Sequence, residues 1–235
     1  MNPTAFTQTS AKPFLSTYED FLRSKSQLGG AKPVGFEIRE DLIHRMLFDW
    51  QRKIVRWALR LGRAALFEDT GLGKTLQQIE WAKHVCDYRG GRVLILCPLA
   101  VAHQTIAEGK KIGVSITYVR SQSQVDEFAS RIVITNYDML KAFDPHAFAG
   151  VVLDESSCLK NFTGATKRLI IEMFRDTNFK LACTATPAPN DHLELGNHSQ
   201  FLNVMDSDEM ISRWFINDTM SAGSYRLKDH ARKDY

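Results

Sequence analysis

Nowhere in the 235 residues does an apolar run approach the ~20 residues needed to span a bilayer. The opening stretch, MNPTAFTQTSAKPF, also lacks a basic segment followed by an apolar core. Both absences argue against a membrane or secreted class and make the cytoplasm the expected compartment. Cysteine is scarce and scattered: Cys86, Cys97, Cys158 and Cys183 form no C-x-x-C pair. That disfavours a disulfide framework or a zinc site and predicts buried free thiols. No repeat or low-complexity tract occurs. A strong charge of either sign is missing too, since 30 basic against 27 acidic residues leave a net +3. So small an excess permits a polyanionic partner without demanding one.

What is present is ordinary globular composition, 44% apolar and 24% charged, on a chain long enough for one large domain. Residues 1 to about 35 are polar and punctuated by proline and glycine, and read as an arm with a possible short helix around STYEDFLRSK. From about 42 to 61, LIHRMLFDWQRKIVRWALRL carries apolar residues at helical spacing. Then come the apolar runs AALF (64–67), RVLILC (92–97), VSITYV (114–119), RIVITN (131–136), GVVLDE (150–155) and FKLACT (179–184), mostly separated by helical patterns. The runs lack strict alternation, as strands buried on both faces do. The expected fold class is α/β, a mainly parallel sheet sandwiched by helices. Residues 191–217 read as helical and the last stretch as polar and basic. This divides the chain into an arm at 1–35, a main lobe at 36–205 and a helical, basic tail at 206–235.

Three stretches carry chemistry. EDTGLGKT (68–75) joins an apolar strand to an amphipathic helix. Gly71 and Gly73 let backbone N–H groups approach an anion, and the helix N-terminus adds positive potential. Lys74 is placed for the β and γ phosphates and Thr75 for Mg²⁺. Thr70 and Leu72 complete the loop. The Walker consensus would put glycine where Glu68 stands, so the match is to its closing G-K-T. The second stretch, GVVLDESS, runs an apolar strand into two acids. Asp154 is the expected Mg²⁺ ligand and Glu155 the base that deprotonates an attacking water. In the third, LACTATPAPN, the hydroxyls of Thr184 and Thr186 stand at a strand end, where they could bond the acids or the γ phosphate and report nucleotide state. For all this to work, two neighbouring strand tips must bring lysine and carboxylates to one triphosphate.

EDTGLGKT, LILCPLAVAHQ (94–104), VITNYDML (133–140), LDESSCLKN (153–161) and TATPAPN (184–190) occur in the order seen in superfamily 2 helicases. Over about residues 45–205 the chain resembles Snf-type DNA translocases and related phage DEAD/DEAH-box helicases. The resemblance implies a RecA-like P-loop NTPase lobe using ATP and Mg²⁺, located in the host cytoplasm if phage-encoded. It makes Gln51 the candidate reader of the adenine edge. Pro98, Leu99, Thr135, Asn136 and Tyr137 match positions that lie along a nucleic-acid backbone, expected to be double-stranded DNA. Ser157 replaces the family's His or Asp, which bears on how hydrolysis is coupled to the threonine motif. Such helicases also have a second RecA-like lobe with an arginine finger worth ~10³ to 10⁵ in rate. Without one, supplied in trans or by a self-associated copy, turnover is expected to be very slow. Two functions follow: the ATP-binding lobe of a DNA-dependent ATPase, or a non-catalytic nucleotide-dependent module that docks on or inhibits a complete motor. The presence of Glu155, for which a pure binder has no evident need, favours the first.

Overall fold

The computed structural model describes residues 33–157, 159, 164–188, 192–217 and 225–228. The helix suggested around STYEDFLRSK and Cys158 lie outside these. The elements run α1 (Asp49–Leu61), β1 (Arg63–Phe67), α2 (Lys74–Arg89), β2 (Arg92–Cys97), α3 (Leu99–Lys111), β3 (Ile116–Tyr118), α4 (Gln122–Glu127), β4 (Ile132–Asn136), a 3₁₀ segment (Tyr137–Ala142), β5 (Phe148–Asp154), α5 (Gly164–Met173), β6 (Phe179–Thr184), α6 (Leu195–Phe201), α7 (Ser207–Trp214), β7 (Phe215–Asn217) and β8 (Tyr225–Leu227).

β1 to β6 form one parallel sheet in the order β1-β6-β5-β2-β4-β3. Side chains of a strand alternate between faces, and the core divides accordingly. Val93, Ile95 and Cys97 of β2 pack with Val55 and Leu59 of α1 and Ile79, Trp81 and Val85 of α2. Leu94 and Leu96 face the other way, against Tyr137, Leu140, Ile170 of α5 and Phe201 of α6. A sheet covered on both faces is what the unbroken apolar runs require. Cys86, Cys97 and Cys183 are buried free thiols. Among the described residues, no helix is long and apolar enough to cross a membrane.

Lys180, the second residue of β6, breaks the apolar pattern and is fully buried. Its ammonium donates to Phe201 O at 2.9 Å and Asn203 Oδ1 at 3.1 Å, beyond the end of α6, and to Arg175 O at 3.3 Å. A cation beside carbonyls at a helix C-terminus is favourable, but burial still pushes its pKa down to about 7.

The structure differs from the sequence reading in three places. The first helix begins at Asp49, not near residue 42. Residues 40–42 are a 3₁₀ turn and Phe48 is extended. The Gln51 side chain accepts the Phe48 N–H at 2.8 Å, which starts the helix there, and the His44 N–H is drawn to Glu80 Oε1 at 2.9 Å. Residues 215–217 are a strand, paired antiparallel with 225–227, where a helix was expected. Finally, β1 and β5 are not neighbours, because β6 runs between them.

Candidate nucleotide site

The tips of β1, β6 and β5 lie side by side, with Phe67 opposite Thr184 and Cys183 opposite Asp154. Strands lie ~4.8 Å apart, so the phosphate loop after β1 and the acids after β5 are about 10 Å apart, with the Thr184 strand between them. All four charged groups act on one buried thiol. Burial pushes Cys183 well above its ordinary pKa, Asp154, Glu68 and Glu155 push the same way, and Lys74 opposes them.

The glycine loop is closed on itself. Gly71 and Gly73 hold φ of 82° and 77°, left-handed values that side chains resist, and Gly73 caps the start of α2. Thr75 is the second residue of α2. Lys74 Nζ donates to Glu68 O at 2.8 Å and Asp69 O at 2.9 Å. A phosphate taken up here would replace those two carbonyls as the lysine's acceptor. Thr70 N–H is bonded to Asp69 Oδ1 at 2.7 Å and Leu72 is exposed. Glu68, standing where the Walker glycine would be, accepts the Gln77 amide at 2.7 Å. Burial raises its pKa, while Gln77 and the Lys74 charge pull it back.

Gln51 is buried and donates from Nε2 to Leu72 O at 2.8 Å, so it ties the start of α1 to the phosphate loop. Each end of its amide keeps capacity for one more hydrogen bond.

The acid loop is the most constrained part of the site. Asp154 is buried at the end of β5, and its Oδ1 accepts the Glu155 N–H at 3.1 Å. Burial raises its pKa; the nearby Gln78 amide pulls it down, Glu155 pushes it further up and Lys74 opposes. Glu155 has left the strand with φ of 54°, a conformation that costs a non-glycine residue ~1–3 kcal/mol. One of its oxygens, Oε1, accepts both Thr184 Oγ1 and Ser157 Oγ, each at 2.8 Å. Ser157 thus meets the threonine motif on a shared carboxylate oxygen. Thr184 Oγ1 in turn accepts the Thr186 N–H at 3.1 Å.

The five residues expected along a nucleic-acid backbone divide. Leu99 is 57% exposed at the first turn of α3 and Pro98, before it, is half-buried. Thr135, Asn136 and Tyr137 are buried. Asn136 is engaged by the Tyr118 hydroxyl at 2.9 Å, and the Tyr137 hydroxyl donates to Asp154 O at 2.8 Å. In this structure Tyr137 therefore props the acid strand and does not face a surface.

The profile of the SNF2-related domain matches residues 50–230, most of the chain and all of this site. This chain belongs to the SNF2-related domain family. Among relatives of this SNF2-related domain, Helicase domino of Drosophila melanogaster is 29% identical over 206 residues, covering 79% of this chain and 6% of that protein. The SWI/SNF-related matrix-associated actin-dependent regulator of chromatin subfamily A member 1 of Mus musculus is 26% identical over 223 residues, covering 84% and 21%. The domain thus spans a minor part of the length of these relatives. Its fold is similar to the Sulfolobus solfataricus SWI2/SNF2 ATPase core in complex with dsDNA, with a TM-score of 0.62 at 22% identity over 78% of this chain and 40% of that one. It is also similar to the UvsW helicase from Bacteriophage T4, with a TM-score of 0.56 at 17% identity over 81% and 66%. These neighbours share the fold of this sheet, a RecA-like one.

Sequence reasoning missed His198, buried on α6, whose Nε2 lies 3.0 Å from Ser156 Oγ. A lone histidine in LGNHSQF carries no periodic or motif signal. It also missed that Tyr137 and Ser157 hold the acids.

Proposed function

We propose that this SNF2-related domain is the ATP-binding lobe of a DNA-dependent ATPase that moves on or unwinds nucleic acid. Its second RecA-like lobe would be supplied elsewhere in the same protein, by another chain or by a second copy. The observation that carries this reading is the convergence of Lys74, Thr184 and the Asp154–Glu155 pair on three adjacent strand tips.

In this reading the α and β phosphates sit on the N–H groups of residues 70–75, and Lys74 exchanges its two carbonyl acceptors for phosphate oxygens. Gln51 uses its spare donor and acceptor on the adenine edge. The buried carboxylate of Asp154 and the hydroxyl of Thr75 are hard oxygen donors of the kind Mg²⁺ takes, and the ion they would hold neutralises phosphate charge. Glu155 orients the attacking water with Oε2 and takes its proton, while Thr184 and Ser157 fix the carboxylate through Oε1. Thr186 follows any movement of Thr184 through its N–H. A duplex laid over this edge of the sheet would meet Pro98 and Leu99 first, with Thr135, Asn136 and Tyr137 behind them. The similar Sulfolobus solfataricus core, seen in complex with dsDNA, supports double-stranded DNA as the partner.

The test is ATP hydrolysis with and without double-stranded DNA, beside Glu155→Gln. Stimulation by DNA in the wild type alone supports the motor reading. Equal ATP binding with no turnover in either protein, DNA present, supports a non-catalytic binding module instead.

A further inference from the structure

Glu155 occupies a left-handed backbone position between two anchored neighbours. Upstream, the Asp154 carbonyl accepts the Tyr137 hydroxyl at 2.8 Å. Downstream, the Ser156 N–H donates to Cys183 O at 2.8 Å, and the Ser156 side chain shares a 3.0 Å hydrogen bond with His198 Nε2. Ser156 is fully buried and His198 is 3% exposed. The imidazole also meets Phe67 edge to face, ring centroids 5.2 Å apart. Phe67 is the last residue of β1, where the phosphate loop begins. A single ring on α6 therefore touches the start of the phosphate loop and the exit of the acid loop, on either side of β6.

We propose that His198 is a positioning residue for the nucleotide site: through Ser156 it holds the backbone that presents Glu155, and through Phe67 it keeps that backbone in register with the phosphate loop. Its functional consequence rests on the ATPase reading above; its structural claim does not. A strained residue stays where it is only when its surroundings over-determine it. Two of the three hydrogen bonds that anchor Glu155's neighbours come from the sheet and Tyr137, and His198 supplies the third, which reaches outside them to the helix after the threonine motif. Burial pushes its pKa down to about 4, against an upward pull from Glu194. The ring is therefore neutral near pH 7.

The test is native-state amide hydrogen exchange on the full chain for Ser156→Ala, His198→Ala and His198→Gln. Ile95, in the centre of the sheet, serves as the reference. Ser156→Ala removes one oxygen, a far smaller loss than the imidazole, so it reports even if His198→Ala fails to fold. We expect the Glu155 and Ser156 amides to exchange about tenfold faster in Ser156→Ala, the effect of one net hydrogen bond. Ile95 should stay unchanged, and His198→Gln should restore much of the protection lost in His198→Ala. Unchanged Glu155 and Ser156 exchange in Ser156→Ala would overturn the proposal, as would a rise shared equally by Ile95. If the wild type hydrolyses ATP, Ser156→Ala should lower kcat with KM for ATP unchanged. A wild type that binds no Mg·ATP would sink the ATPase reading while leaving the exchange result to decide this one.

Discussion

Replacing Thr184 by valine keeps the size of a fully buried side chain and deletes one hydroxyl. That hydroxyl donates to Glu155 Oε1 at 2.8 Å and accepts the Thr186 N–H at 3.1 Å. A hydrogen bond to a charged group contributes ~1.5–3 kcal/mol. Ser157 stays on the same oxygen at 2.8 Å, and Thr186 is exposed, so water can take its freed N–H. The expected cost is therefore at the low end, about 1.5 kcal/mol. If Glu155 must be held to activate water, that appears as about a tenfold lower kcat with KM for ATP unchanged. Ser157→Ala alone should cost a similar amount. Because each hydroxyl can hold the carboxylate in the other's absence, the double variant should lose more than the sum, by ~0.5–1 kcal/mol. The assay is steady-state ATP hydrolysis with saturating double-stranded DNA across the four-member cycle. Strictly additive losses, or an unchanged kcat in Thr184→Val, would refute the idea that the two hydroxyls jointly orient Glu155.

Gly73→Ala should abolish tight nucleotide binding. It demands a left-handed alanine, at ~1–2 kcal/mol, and its Cβ would lie 2.5 Å from Gln51 Nε2; calorimetry should show at least about a tenfold loss in Mg·ATP affinity, equivalent to ~1.4 kcal/mol. Acid should destabilise the chain partly through His198. Its folded pKa of about 4 lies below the ordinary 6.5, so the unfolded chain binds a proton that the folded one refuses. The associated stability is complete above pH 6.5 and gone below about 4, amounting to ~3 kcal/mol. Denaturant melts of His198→Gln between pH 7 and 4 should show a shallower loss than wild type, and equal slopes would contradict the assignment. Binding to double-stranded DNA should be modest and fall steeply between 50 and 200 mM salt, as phosphate contacts do; a salt-independent affinity would point to a different surface.

Much of the architecture was legible because it rests on local patterns. Six apolar runs without alternation, set between helical patterns, argued for strands covered on both faces, and all six are in the sheet within a few residues of their expected limits. Helix starts were harder. The apolar spacing from Leu42 suggested a helix that Gln51 begins seven residues later, because one side-chain bond to the Phe48 N–H outweighs a weak periodicity. Strand order was not legible at all. That β6 separates β1 from β5 depends on long-range pairing, and it places Thr184 between the lysine and the acids. The chemistry-bearing residues could be named from motif and spacing, but their partners could not. Ser157 and Thr184 meet on one oxygen, Tyr137 turns inward to Asp154, and His198 reaches Ser156 across 42 residues of sequence.

The most direct measurement is calorimetric titration of the chain with a non-hydrolysable ATP analogue and Mg²⁺, for wild type, Lys74→Ala and Asp154→Asn. One analogue bound per chain, lost in Lys74→Ala and weakened together with its Mg²⁺ dependence in Asp154→Asn, is the predicted result. No uptake by the wild type, or uptake indifferent to both substitutions, would contradict the account.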